Sequence, residues 1–276
     1  VQGRNHGVAM IAEESTAWPK VTDHPENDGL GFTFKWNMGW MHDFLEYMKL
    51  DPYFRKYNHN RMTFSLTYFT SENYILVLSH DEVVHLKCSM INKMPGLGED
   101  KFSNLKAGYT FMLGHPGKKL LFMGQDFGQW HEWDEKVSLD WYLAEEESHK
   151  KLQEYVRDLL HIYKKYPCLY QLDNDWNGFQ WINANDGDRS IFSVIRKDET
   201  GKKNLLFVVN FTPVDRPDYR VGVPKRCKLS LLLDNVHGAY KPSQCPTYTA
   251  VKSECDGQPY SISYPLGGYG TAIFRF

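Results

Sequence analysis

The pattern of apolar residues changes once along this 276-residue chain, and that change constrains the fold more than any other feature. Up to about Leu172, short apolar runs alternate with longer amphipathic ones, which is typical of strands and helices wound around a parallel sheet. From Asp173 onward, Gly, Asn and Pro separate short β-prone runs. We therefore predict an α/β part over residues 1–172 and an all-β domain over residues 173–276.

Four strands and four helices are predicted in the α/β part. The strands are Gly7–Ala12, Phe32–Trp36, Tyr74–Leu78 and Lys119–Met123. The helices are Trp40–Leu50, a short one around Cys88–Lys93, Asp100–Leu113 and Glu145–Lys165. A closed (β/α)₈ barrel usually has eight strands in about 250 residues, so this part fits half of a TIM barrel. Such a half exposes strand edges and needs a partner.

The second part is predicted to be an antiparallel β-sandwich. Its strands are expected at Ser190–Arg196, Asn204–Asn210, Cys227–Leu233, Tyr260–Tyr264 and Thr271–Phe276.

Two acidic segments follow predicted strands, and they supply the first candidate site residues. Glu13 and Glu14 end the first strand, and Asp81 follows the third. Because side chains alternate along a strand, only one of the two glutamates can face a barrel axis. We choose Glu13, with Glu14 as a loop anchor or a ligand contact. Carboxylates at the carboxyl ends of barrel strands suit sugar chemistry, although an ordinary acidic loop and a salt-bridged turn are open alternatives.

Composition restricts the partners. With 32 Lys and Arg against 34 Asp and Glu, the chain lacks the basic footprint of a nucleic-acid-binding protein. The 15% aromatic content favours a neutral, hydroxyl-rich ligand. No apolar run is long enough to cross a membrane, and no signal-peptide pattern opens the sequence. Five widely spaced cysteines without a C-x-x-C pair favour free thiols and a cytoplasmic location. No metal is predicted, because consecutive residues such as His80 to Glu82 rarely converge on one ion.

The chain resembles the bacterial 1,4-α-glucan (glycogen) branching enzymes of the α-amylase superfamily in four segments, in this order and spacing: VAMIAEEST, GLGFTFKWNMGWMHDFLEYMKLDP, LSHDEVVH and GKKLLFMGQDFGQWHEW. The resemblance runs from Gly7 to about Asp173 and continues through NFTPVDRPDYRVGVP. It implies that residues 1–172 are the C-terminal half of the catalytic barrel, with strands five to eight.

The resemblance also implies roles. Glu13 matches the general acid/base, and Asp81 matches the aspartate that stabilises the oxocarbenium-like transition state. The substrate, an α-1,4-glucan such as glycogen or amylose, would contact four more residues, and no cofactor is implied. They are His80, which matches a histidine that hydrogen-bonds the same sugar, its neighbour Glu82, and the aromatic residues Trp130 and Trp133, which we choose because they follow a predicted strand end.

The nucleophilic aspartate of that family has no counterpart in this chain. It lies on a barrel strand that would precede Glu13, so a missing N-terminal barrel half, in cis or in trans, is expected as a partner. We expect the chain alone to be inactive. A non-catalytic glucan-binding or complementing subunit is an alternative, and an α-glucan hydrolase of the same superfamily is disfavoured by the residues that flank Asp81.

Overall fold

The structure is a computed structural model that describes residues 3–276. Its first sheet is parallel and has four strands. The strands β1 (Ile11–Ala12), β2 (Phe34–Trp36), β3 (Tyr74–Leu78) and β4 (Lys118–Leu121) are neighbours in chain order. The first is shorter than predicted, because β1 pairs only with β2 and this pairing starts at Ile11 and Phe34. The parallel sheet of four strands is confirmed.

The three long helices of this part are confirmed, with shifted ends. They are α1 (Met38–Lys49), α4 (Glu99–Gly114) and α5 (Glu147–Lys165). Two helices, α2 (Pro52–Arg55) and α3 (Arg61–Phe64), were not predicted, because four residues are too few to show a helical period. The helix expected around Cys88–Lys93 is a 3₁₀ turn at Ile91–Lys93, since Cys88 has a φ of 68° that an α-helix excludes.

The second part contains nine strands in two sheets. They are β5 (Phe179–Asn183), β6 (Ile191–Arg196), β7 (Leu205–Asn210), β8 (Arg216–Val223), β9 (Lys228–Asp234), β10 (Gly238–Ala239), β11 (Thr247–Thr249), β12 (Tyr260–Leu266) and β13 (Thr271–Arg275). The large sheet has the order β10-β9-β13-β7-β6-β5, with β11 also paired to β9, and β8 pairs with β12 in the small sheet. The predicted antiparallel sandwich is confirmed.

Strands β6 and β7 lie in the middle of this domain and are buried along their whole length. Alternate side chains go to opposite faces of a strand. Ile195 and Leu206 therefore pack against the small sheet, while Phe192 and Phe207 pack against the helices. Because both faces of these strands are buried, their sequences are nearly continuous apolar runs.

One hydrophobic core joins the α/β part to the sandwich. It combines side chains of the helices with the inner face of the large sheet, among them Phe44, Leu105, Phe111, Phe192, Phe207 and Ile273. The segment between α5 and β5 belongs to the same core, because Cys168 and Leu169 are fully buried. The change in sequence pattern near residue 173 therefore does not mark a flexible linker.

Two buried cations reinforce this junction. Arg55 is fully buried and donates hydrogen bonds to the carbonyl oxygens of Met48 and Phe211 and to Oδ1 of Asn104, each at 2.8 Å. Arg196 is also fully buried; it lies 2.9 Å from Oδ1 of Asp173 and donates a hydrogen bond to the carbonyl oxygen of Gly114 in α4 at 3.4 Å. Charge-assisted bonds of this kind fix the two parts in one geometry.

Both edges of the parallel sheet remain open within residues 3–276, because β1 and β4 each pair with one strand only. Beside β4 lies an apolar cavity of about 380 Å³ between the strand, α4 and α5. On its rim, Met123 is 53% exposed and Leu160 is 48% exposed. Ile11 is 47% exposed in β1. Unpaired strand edges with exposed apolar side chains are surfaces that proteins normally cover.

Candidate active site

The carboxyl ends of β1 and β3 carry the two predicted catalytic carboxylates. Glu13 follows β1 directly, and Asp81 follows β3 within a 3₁₀ turn over His80–Val83. The carboxyl ends of parallel strands lie on the same side of their sheet, so both carboxylates lie at this carboxyl-terminal edge. This is the edge where barrel enzymes build their active sites.

Glu13 and Glu14 have different surroundings. The exposed Glu13 lines an open cavity of about 340 Å³ together with Trp18, Leu30 and Phe32. Glu14 accepts a hydrogen bond from the backbone N–H of Thr16 at 2.9 Å and pairs with Nζ of Lys35 at 3.0 Å. The bonds from Thr16, and the nearby Lys35, lower the pKa of Glu14 to about 2. Of the two expectations for Glu14, the geometry favours the loop anchor.

The turn after β3 is built around Glu82. Its Oε2 accepts a bond from the backbone N–H of Ser79 at 2.7 Å, and the Ser79 side chain in turn accepts one from the Glu82 backbone. This reciprocal arrangement is a capping box. Glu82 is 6% exposed, and burial raises the pKa of its carboxyl. In this structure, Glu82 holds the turn and does not face solvent.

The same turn presents His80 and Asp81 to solvent as a pair. Nε2 of His80 lies 3.2 Å from Oδ1 of Asp81, and both side chains are about half exposed, at 45% and 47%. Nδ1 of His80 lies 3.0 Å from Oγ of Ser79. The ring and the carboxylate therefore project together beyond the end of the strand.

The two predicted tryptophans lie in different places. The backbone N–H of Trp133 donates to the carbonyl oxygen of Val83 at 3.0 Å, and its ring lies edge-on to His80, with centroids 6.2 Å apart. Trp130 instead packs edge-on to Phe102 of α4 and His149 of α5. The structure thus brings His80, Asp81 and Trp133 together, and it places Trp130 against the helices.

Three further residues at this edge were not singled out from the sequence. Trp18 is 60% exposed and shares the cavity of Glu13. Phe122 packs edge-on against Trp133, with centroids 5.1 Å apart. Gln125 is buried near the same loop. An exposed Trp close to an acidic strand end was a usable signal for Trp18, whereas Phe122 and Gln125 have none in the linear pattern.

Chemically, this edge can supply a proton and hold a sugar. A carboxyl group at Glu13 can exchange protons with a glycosidic oxygen, and the His80–Asp81 pair can bind sugar hydroxyls next to an aromatic ring. A retaining mechanism also requires a nucleophilic carboxylate about 5 Å from the acid. Asp126, which follows β4, accepts a bond from Gln153 of α5 at 3.0 Å.

Within the described residues 3–276, the structure contains no group of three His, Cys, Asp or Glu side chains placed to hold a metal ion. The same stretch contains no helix of the length and apolarity needed to span a membrane.

A family model and two solved structures show which known proteins this chain resembles. Residues 181–276 match the family model described as the alpha amylase C-terminal all-beta domain. The fold resembles the crystal structure of the alpha-amylase from H. orenii (TM-score 0.63, 14% identity), covering 98% of this chain and 54% of that one. It also resembles the crystal structure of AmyP in complex with maltose (TM-score 0.66, 13% identity), covering 97% of this chain and 55% of that one. The chain therefore has the fold of solved alpha-amylases.

Sequence relatives narrow this class. The chain is 57% identical to the 1,4-alpha-glucan branching enzyme GlgB of Butyrivibrio fibrisolvens, over 100% of this chain and 44% of the relative. It is 53% identical to the GlgB enzyme of Halothermothrix orenii, over 96% of this chain and 43% of that relative. It is 47% identical to the GlgB enzyme of Gloeobacter violaceus, over 98% of this chain and 37% of that relative. The chain belongs to the 1,4-α-glucan branching enzyme family and spans less than half the length of these relatives, at their C-terminal part.

Proposed function

We propose that this chain is the C-terminal portion of a branching enzyme of glycogen synthesis, which cleaves α-1,4 links in a glucan and forms α-1,6 branches. In this proposal, residues 1–172 are strands five to eight of the catalytic barrel, and residues 173–276 are the C-terminal β-domain. The observation that carries the proposal is the position of Glu13 and Asp81 at the same edge of one parallel sheet. Identity of 57% over the whole chain supports it.

The proposed roles are those that the family resemblance implies, and the geometry supports them. Glu13 acts as general acid and then as general base, since its exposed side chain can reach a ligand in the adjoining cavity. Asp81 stabilises positive charge that develops on the sugar ring, and His80 binds the same sugar. Both side chains are accessible and lie next to each other.

The surroundings of the other proposed substrate-binding residues support them to different degrees. Trp133 offers an aromatic ring beside His80 and is the stacking platform. Glu82 contributes by holding the turn that carries Asp81. Trp130, three residues earlier in the same loop, is retained as a glucan contact, although its ring packs against Phe102 and His149.

The nucleophile and the first four barrel strands come from a partner half. The open edges of β1 and β4 support this, because a closed barrel would pair both of them. The apolar cavity beside β4 is a surface that such a half can bury. We also propose a cytoplasmic location, which the five free cysteines support.

An iodine-stain assay with amylose tests the proposal. The purified chain is assayed alone and after fusion to the preceding portion of the Butyrivibrio fibrisolvens relative, with Glu13→Gln in the fusion as the control. We expect no change of stain with the chain alone, a clear decrease with the fusion, and none with Glu13→Gln. Robust branching by the chain alone would refute the proposal. A folded fusion that binds amylose without branching it would support the glucan-binding subunit instead.

A further inference from the structure

Gln125 has an unusual environment at the carboxyl end of the parallel sheet. The side chain is 3% exposed, yet neither its Nε2 nor its Oε1 has a hydrogen-bond partner among the described residues. Its backbone is fixed, because the N–H donates to the Phe122 carbonyl oxygen at 3.2 Å and the carbonyl accepts from the Tyr109 hydroxyl at 3.0 Å.

Buried polar groups in native proteins are normally hydrogen-bonded, so an amide with two unpaired atoms needs an explanation. Gln125 lines a small cavity of about 10 Å³, with room for one water-sized group. The wall of this cavity includes Trp133 and Val83, which belong to the proposed sugar-binding surface and to the Asp81 turn.

The other amide and the hydroxyl side chain that line this cavity, Gln129 and Ser89, are already paired. Oε1 of Gln129 accepts from the Asp140 N–H at 3.0 Å, and Nε2 of Gln129 donates to the His131 carbonyl oxygen at 3.2 Å. The Ser89 hydroxyl donates to the Trp130 carbonyl oxygen at 2.8 Å. Of these three side chains, only Gln125 offers a ligand both a free donor and a free acceptor.

We propose that Gln125 is a substrate-binding residue whose amide holds one hydroxyl group of a glucosyl unit bound against Trp133. A hydroxyl both donates and accepts, which matches the paired donor and acceptor of an amide, and it fits a cavity of this size. A carboxylate would satisfy only the donor, and an ammonium group only the acceptor. The assignment rests on the proposed function, because it takes the substrate to be a glucan.

The test compares Gln125→Leu with Gln129→Leu in the full chain, because Gln129 is a paired glutamine of the same cavity. Thermal unfolding gives Tm, and calorimetric titration gives the Kd for maltoheptaose. We expect Gln125→Leu to keep or raise Tm, since it removes two unpaired groups, and to weaken maltoheptaose binding about tenfold, the loss of one hydrogen-bonded hydroxyl. Gln129→Leu should lower Tm, because it leaves its two backbone partners unpaired.

Three results would overturn the assignment. Unchanged affinity in Gln125→Leu with a lowered Tm would mean that the amide holds a structural water. Unchanged affinity with unchanged Tm would mean that it holds nothing. Failure of the unsubstituted chain to bind maltoheptaose would also count against it, because the residues that line the cavity in this structure, Gln125 and Trp133 among them, all belong to this chain. The proposed function would survive each of these results if the fused protein branches amylose.

Discussion

Arg55 offers the sharpest test of how the two parts of the chain are joined. We predict that Arg55→Met lowers the free energy of unfolding by about 3–5 kcal/mol. The substitution leaves three buried acceptors without their donors, namely the carbonyl oxygens of Met48 and Phe211 and Oδ1 of Asn104. Each unpaired acceptor costs about 1–3 kcal/mol. The substitution also removes a buried charge, whose desolvation is unfavourable, and this offsets part of the summed cost of the three acceptors.

Urea unfolding, followed by tryptophan fluorescence and by far-ultraviolet circular dichroism, measures this loss. Lys56→Met is the matched control, because the neighbouring Lys56 places its ammonium group over the exposed rings of Tyr53 and Tyr57 and should not contribute measurably. The two probes should change together in one transition, since Arg55 and the shared core connect both parts. A loss below about 1 kcal/mol, or an equal loss in Lys56→Met, would refute the reasoning.

Three further predictions concern pH, the Asp81 turn and the aromatic platform. Burial lowers the pKa of His115 to about 3 from 6.5, so the unfolded chain takes up a proton first as the pH falls. The free energy of unfolding should therefore drop by about 2–3 kcal/mol between pH 7 and pH 4.5 in urea titrations, and an equal drop in His115→Gln would contradict this. Glu82→Ala should cost about 1–2 kcal/mol by thermal unfolding and Glu82→Gln clearly less, because only the amide can still cap Ser79; equal losses would argue against the capping role. In the fused protein, Trp133→Ala should lower kcat/KM for amylose by about tenfold while Trp133→Phe keeps most of it, and unaffected kinetics in Trp133→Ala would remove this ring from the site.

Sequence periodicity predicted the fold well where the elements are long. The helices around Phe44, Leu105 and Leu152 and the strands β6 and β7 were predicted because their apolar spacing spans several turns or a whole strand. Short elements such as α2 and β10 were missed, because a few residues show no period. The start of β1 was placed too early, since strand ends depend on where a neighbour begins to pair.

The candidate site was only partly predictable. Its carboxylates were found because Glu13 and Asp81 follow apolar runs in a parallel-sheet pattern and lie in family motifs. Burial of Glu82 in a capping box and the missing partners of Gln125 depend on the three-dimensional meeting of two loops, which no spacing encodes. The different surroundings of Trp130 and Trp133 likewise arise from how one loop folds back onto the β3 turn.

We propose that this chain supplies the acid/base and the transition-state aspartate of a branching site, and that the nucleophile comes from the preceding half. The most direct measurement is proton NMR of amylose products, which counts new α-1,6 links separately from new reducing ends. We predict α-1,6 links with the fusion to the preceding half of the Butyrivibrio fibrisolvens relative, and none with the chain alone or with Asp81→Asn in the fusion. New α-1,6 links formed by the chain alone, or new reducing ends without such links from the fusion, would contradict these roles of Glu13 and Asp81.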